Sequence, residues 1–385
     1  MPSGRKVSHF NLEPKVLRSL PLGCGRTKYQ EQTNAPVAIS YPKTLWNVMR
    51  IYCLVPDAFG GHGGISVYNK DLLTAFSEIS DVSDVYVVPR VIRHDPGLIP
   101  DKIHFRRRGA YGKLAFMATV LADLHTIGRS DLIYCGHLNF APLAKKLGGL
   151  FKIPVLGALY GIDAWTPSSS LKRRKASVEL DYYYAISSYT RDRFREWSGV
   201  SEKKIALHPN AIHLDAYTNI DASSSIQKRL GLVDRRVILT FGRLVSRERA
   251  KGFDEVLDVL PDLLHEFPDL IYVIAGDGPD RKRLEARVLT EGLEDQVVFT
   301  GYVEENEKIA LYRSANLYVM PSRGEGFGFV FLEALANGVP VVASSVDGSR
   351  DAVRDGLLGP MVDPDDPNAL SAAISAGESR LELMA

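Results

Sequence analysis

The sequence predicts an α/β protein of two Rossmann-like domains, each a parallel β-sheet with helices on both faces. Three observations carry this. From Met49 onward, short apolar runs rich in valine, isoleucine and tyrosine alternate with longer amphipathic segments. The 385 residues exceed one ordinary core and suit two domains. A single polar stretch, "TNIDASSSIQKRLGLVDR" (218–235), interrupts the alternation. Repeated βα units imply parallel sheets, and the interruption divides them into two.

Taken in order, residues 1–45 show no periodic apolar pattern, and "MPSGRKVSH" lacks the uninterrupted apolar region of a secretory signal. Residues 1–48 are therefore expected to be a disordered extension, with Met49 the natural start. The first domain, 49–217, is expected to hold strands at "MRIYCLVP" (49–56), "VYVVP" (85–89), "LIYCG" (132–136), "PVLGALY" (154–160), "YYYAIS" (182–187) and "IALHP" (205–209). After a linker at 218–235, the second domain, 236–385, is expected to hold "RVILTFGR" (236–243), "LIYVIAGDG" (270–278), "VVFTGYV" (297–303), "NLYVMP" (316–321) and "VPVVAS" (339–344). In open parallel sheets, ligands collect outside the carboxyl ends of the strands. Several of these strands run into polar or glycine-rich segments, as "YCG" into "HLN" and "ALY" into "GIDAW".

Hydrophobic residues make up 45% and charged residues 24% of the chain, the proportions of a soluble globular protein. No run of roughly 18 apolar residues offers a membrane span. Cys24, Cys53 and Cys135 are scattered, without a CxxC or a framework spacing, which fits reduced thiols in a cytosolic chain. Cys53 and Cys135 read as small core residues in strands.

The net charge of +1 conceals an asymmetry: residues 1–48 carry +5, residues 49–220 carry +6 and residues 221–385 carry −10. A basic first half can attract an anionic membrane or a pyrophosphate-bearing substrate, or serve solubility alone. Its densest clusters are "FRRRG" (105–109) and "LKRRK" (171–175). A nucleic-acid partner is not expected.

Three segments suggest chemistry. In "GGHGGISVYNKDLL" (60–73), Gly63 and Gly64 precede an amphipathic helix whose N-terminus could receive a phosphate. The spacing is neither GxGxxG nor a P-loop, and a flexible turn is an equally good reading. In "FGRLVSRERAKGFDEVL", Arg243 follows a strand and Lys251 precedes a helix, as two cations able to clamp a diphosphate or as members of a solvated loop. In "EGFGFVFLEALANGVPVVAS" (325–344), Glu325 falls in a loop and Glu333 past the first turn of a helix ended by Gly338. Phe327, Gly328 and Phe329 then supply backbone N–H groups at the helix start, where an anion is favoured. An unpartnered carboxylate beside apolar residues is costly, so the pair argues for a ligand with sugar hydroxyls flanking that anion.

With these segments in hand, the chain from about residue 49 to 376 resembles glycosyltransferase family 4, of the GT-B fold. The most specific element is the E-x7-E pair Glu325 and Glu333; "GRL…KG", "IAGDGP", "FTGYV" and "PNAI" follow in the family's order. The resemblance implies a retaining, metal-independent enzyme that moves a hexose from a UDP- or GDP-sugar to a glycan or lipid-linked acceptor. No cofactor is implied beyond that donor. Glu333 would hold the ribose and Glu325 the transferred sugar, with Arg243, Lys251, the 327–329 backbone and the Gly63/Gly64 loop at the diphosphate. Val303 would meet the base, and His137, Asn139, Tyr160 and Asp163 would face the sugar or acceptor. Cell-surface polysaccharide or glycolipid synthesis at the cytoplasmic membrane face is the implied setting.

The sequence departs from the family at Tyr160, where a histidine is usual, at Ala211, where glycine is usual, and in a longer Arg243–Lys251 loop. It also stops before the family's final helix. A nucleotide-sugar epimerase or hydrolase, and a non-catalytic relative, remain the alternatives.

Overall fold

In this computed structural model the described residues are 48–61, 63–218, 225–245 and 251–382. The expected N-terminal extension up to residue 47, part of the expected linker and the centre of the Arg243–Lys251 loop lie outside them. Thirteen strands are described: β1 Met49–Val55, β2 Val82–Pro89, β3 Ile103–Phe105, β4 Leu132–Cys135, β5 Val155–Leu159, β6 Tyr182–Ala185, β7 Ile205–Leu207, β8 Arg236–Phe241, β9 Leu270–Ala275, β10 Val297–Gly301, β11 Leu317–Val319, β12 Val341–Ser344 and β13 Met361–Val362. Nine described helices reach eight residues: α1 Gly64–Glu78, α2 Lys113–Ala122, α3 Ala141–Phe151, α4 Ser188–Ser198, α5 Phe253–Glu266, α6 Arg281–Glu291, α7 Glu305–Arg313, α8 Phe329–Ala336 and α9 Pro367–Glu382.

The two sheets repeat one plan. The first runs β3-β2-β1-β4-β5-β6-β7 and the second β10-β9-β8-β11-β12-β13, with the described strand pairs parallel. Every expected strand is found, and β3 and β13 are additions. Both are short strands at sheet edges, with too few apolar residues to show a period. The central strands are buried on both faces, so their sequences run apolar without alternation: Ile51 to Val55 are inaccessible, as are Tyr272 to Ala275. Cys53 and Cys135 are free thiols within β1 and β4, and burial pushes both up, Cys135 to about 12.

In each sheet the chain order reverses beside the first strand, between β1 and β4 and between β8 and β11. Such reversals open a crevice at the carboxyl ends of the strands. By packing, the chain divides into two compact units. One runs to Ala158 and takes in Lys175–Tyr182; the other comprises Leu159–Arg174 and the chain from Tyr183. Among the described residues no helix is long and apolar enough to cross a membrane.

Candidate functional site

The second unit brings the E-x7-E pair together at the β8/β11 reversal. β11 ends at Val319, and residues 320–328 lead into α8. Gly328 caps the helix with φ of 95°, a left-handed conformation suited to glycine. Its added Cβ would lie 2.6 Å from the Phe331 ring. No side chain caps α8, so its first N–H groups are open to an anion in the way the sequence suggests. Phe327 is buried and Phe329 is the first helical residue. At the other end Asn337 is the C-cap and Gly338 follows with φ of 78°.

Glu325 lies in the loop and pairs with Lys251, Nζ to Oε2 at 2.6 Å, with both side chains about one-fifth exposed. Its backbone is held on both sides. The Glu325 N–H donates to Asp347 Oδ2 at 2.8 Å, and the Gly348 N–H donates to the Glu325 carbonyl at 2.8 Å. Asp347 is fully buried and also accepts from the hydroxyls of Ser322 and Ser349, each at 2.6 Å. Burial pushes its carboxyl above the usual range, against the pull of these donors.

Glu333, on the fifth residue of α8, is 8% exposed. Each of its oxygens has a donor: Lys308 Nζ reaches Oε1 at 2.6 Å and the Tyr312 hydroxyl reaches Oε2 at 2.8 Å. Lys308 also stands over the Phe241 ring, at 5.5 Å. Burial, with the Glu333 charge adding to it, pushes the Tyr312 phenol well up, which keeps it a hydrogen-bond donor.

Arg243 lies two residues past the end of β8 and is exposed; among the described residues it has no ion-pair partner. Val303 is buried after β10, while its neighbour Tyr302 is 65% exposed. Tyr160 is buried, with its hydroxyl 3.4 Å from that of Tyr184. Its carbonyl abuts Gly326, where an added Cβ would come within 2.1 Å. Asp163 is half-buried in the short turn Ile162–Trp165, and its Oδ2 is sealed from solvent without a hydrogen-bond partner. Burial pushes this carboxyl up to about 7, opposed by neighbouring backbone N–H groups. At that value it can hold or release a proton near neutrality.

The remaining expected residues belong to the first unit. Gly63, with φ of 96°, caps α1 and Gly64 begins it; no side chain caps this helix either. His137 serves the local backbone, where its Nδ1 accepts from the Asn139 N–H at 3.0 Å and caps the turn Leu138–Phe140. Asn139 itself is exposed.

Three further residues of the site, Asp347, Lys308 and Tyr312, carry no signal of their own in the sequence pattern. The partners that place them in the site lie 21 to 25 residues away, in other elements, beyond the reach of any local period. Position gives one weak cue, Asp347 in "SSVDGSRD", an acid three residues past the end of an apolar strand.

Comparisons with known proteins bear on the family likeness and the fold. Residues 223–380 match the family model "Glycosyl transferases group 1". A GDP-mannose-dependent alpha-(1-6)-phosphatidylinositol monomannoside mannosyltransferase of Mycolicibacterium smegmatis is 33% identical over 60% of this chain and 62% of its own. The D-inositol 3-phosphate glycosyltransferase of Geodermatophilus obscurus is 27% identical over 84% and 80%. The first of these matches therefore spans under two-thirds of that relative's length. Among solved structures, Anabaena HepE in complex with UDP-glucose superposes with a TM-score of 0.67 at 20% identity, over 87% of this chain and 91% of that one. That likeness establishes the two-domain α/β fold, GT-B. The likeness to the glycosyl transferases group 1 family is carried by residues 223–380.

Proposed function

We propose that this protein transfers a hexose from a UDP- or GDP-sugar to a hydroxyl of a glycan or lipid-linked acceptor, with retention of configuration. The observation that carries the reading is the arrangement around α8. An uncapped helix N-terminus lies between two carboxylates, Glu325 and Glu333, each already held by a lysine. Such a site matches a diphosphate flanked by two sugars. Glu333 accepts from the ribose hydroxyls and Glu325 from those of the transferred hexose. Val303 sits toward the base.

In the transfer, the bond from the anomeric carbon to the diphosphate oxygen breaks and the acceptor hydroxyl attacks on the same face. Its proton passes to the departing diphosphate. Arg243, Lys251 and the α8 N–H groups stabilise the charge that develops there, so that fixed cations stand in for a divalent ion. Within the same unit, Tyr160, whose carbonyl abuts Gly326, and Asp163 are the candidates for the acceptor side. The relatives' names favour GDP-mannose as the first donor to try and a phosphoinositide-type glycolipid as the first acceptor. Cell-envelope glycolipid or polysaccharide synthesis at a cytoplasmic membrane face is the setting.

A thermal-shift screen across nucleotide-sugars selects the donor, and release of nucleoside diphosphate with and without acceptor measures turnover. Glu325→Ala and Glu333→Ala are each expected to lower kcat/KM by at least about a hundredfold, as for removal of a transition-state contact. Wild-type turnover in both variants defeats the assignment, and acceptor-independent release of sugar points to a hydrolase instead.

A further inference from the structure

We infer that α2, with the arginine cluster ahead of it, is the surface by which this protein lies on a bilayer containing anionic phospholipid. The inference rests on the reading that the acceptor is carried on lipid, and it names the contact face. α2, "KLAFMATVLA", has no acidic residue and is apolar nearly all round. A helix of that kind belongs in a core or at a membrane. Only part of α2 serves the core: Phe116 and Val120 are buried. Leu114, Met117 and Leu121, at helical spacings of three and four, form a second stripe and are 87%, 38% and 60% exposed. Tyr111, just ahead of the helix, is 80% exposed.

The charges flanking this stripe have one sign. From Lys102 to Ala122 there is no aspartate or glutamate. Lys102 is spent on the Ile79 and Val82 carbonyls, and Arg106 on Asp123 at 3.2 Å. Arg107, Arg108 and Lys113 are exposed and, among the described residues, make no ion pair. An apolar stripe bordered by unpaired cations matches acyl chains below a layer of anionic headgroups. A second copy of the chain fits less well, since a two-fold contact would set the same arginines against one another. An aromatic at the edge of the stripe, Tyr111, suits the interface between headgroup and acyl chain.

The test is co-sedimentation of the full chain with vesicles of phosphatidylcholine alone and of phosphatidylcholine with phosphatidylglycerol, at low and high salt. Binding is expected to the anionic vesicles only, and to weaken with salt. Arg107→Ala with Arg108→Ala is expected to weaken it roughly 30-fold, from about 1 kcal/mol for each basic residue at an anionic surface. Leu114→Ser with Leu121→Ser is expected to weaken it by about tenfold or more, through lost apolar burial. Absence of binding by the parent chain, or parent-like binding by both double variants, overturns the inference. So does a leucine variant that changes only the oligomeric state in sedimentation velocity without vesicles, which identifies the face as a contact between copies. Donor binding is followed separately by thermal shift without vesicles. Failure of the membrane contact is thereby distinguished from failure of the transferase reading.

Discussion

The carboxyl ends of the two sheets share one strand plan and differ in how their polar groups are treated. At the second sheet every carboxylate of the site has partners: Glu325 has Lys251, Glu333 has Lys308 and Tyr312, and Asp347 has two hydroxyls and two N–H groups. Among the expected site residues, the first sheet's strand ends offer two glycines, a histidine used as a turn cap, an exposed asparagine, a tyrosine and one carboxyl, Asp163, with an oxygen left over. The same topology thus builds a rigid charged receptor in one place and a sparsely polar one in the other. Topology supplies the crevice, and the side chains decide what it receives.

The contrast is broken most directly through Lys308. Lys308→Met leaves the buried Glu333 carboxylate with Tyr312 alone, and a loss of about 3 kcal/mol of unfolding free energy is expected, as for a buried pair that loses one partner. Urea unfolding of the two proteins at neutral pH measures it. A loss below that of an exposed ion pair would show that Glu333 is not held as the distances indicate.

Asp163 sharpens the contrast through pH. Its folded value of about 7 stands above the 3.8 of a free aspartate. Below the unfolded value both states carry the proton and the group costs nothing. As pH rises from about 4 toward 7, the unfolded chain ionises while the folded chain keeps its proton, so stability falls, and above about 7 the full cost is in place. Asp163→Asn should therefore stabilise the protein at pH 8 by about 2 kcal/mol, after a discount for partial exposure, and leave it unchanged at about pH 3. Melting curves at the two pH values decide, and equal effects at both would remove the burial argument.

The smallest effect is expected at His137. Loss of its cap in His137→Ala should cost about 1 kcal/mol, with donor affinity unchanged. A loss of donor binding measured by calorimetry would give His137 a role at the ligand beyond its cap.

Much of this was legible in the sequence. The central strands are apolar and buried on both faces, so they announce themselves without knowledge of their partners. Glu325 and Glu333 were readable because the loop-to-helix switch between them is local, fixed by glycines 326, 328 and 338. What was not legible depends on contacts made after folding. Asp347 looks like an ordinary loop acid until it is seen buried under the Glu325 backbone. Lys308 and Tyr312 look like members of a surface helix until α8 packs beside them. β3 and β13 are too short to carry a pattern, and His137 reads as a candidate ligand until its Nδ1 is seen to be in use.

The Lys251–Glu325 pair has a consequence for the order of events. The lysine neutralises the carboxylate, so neither charge is left exposed alone. On the proposed reading, a diphosphate that drew Lys251 to itself would free Glu325 for the sugar arriving with it. The pair would then work as an exchange, in which the leaving group's charge releases the carboxylate proposed to hold the hexose, and a hexose without its phosphates would meet Glu325 still engaged.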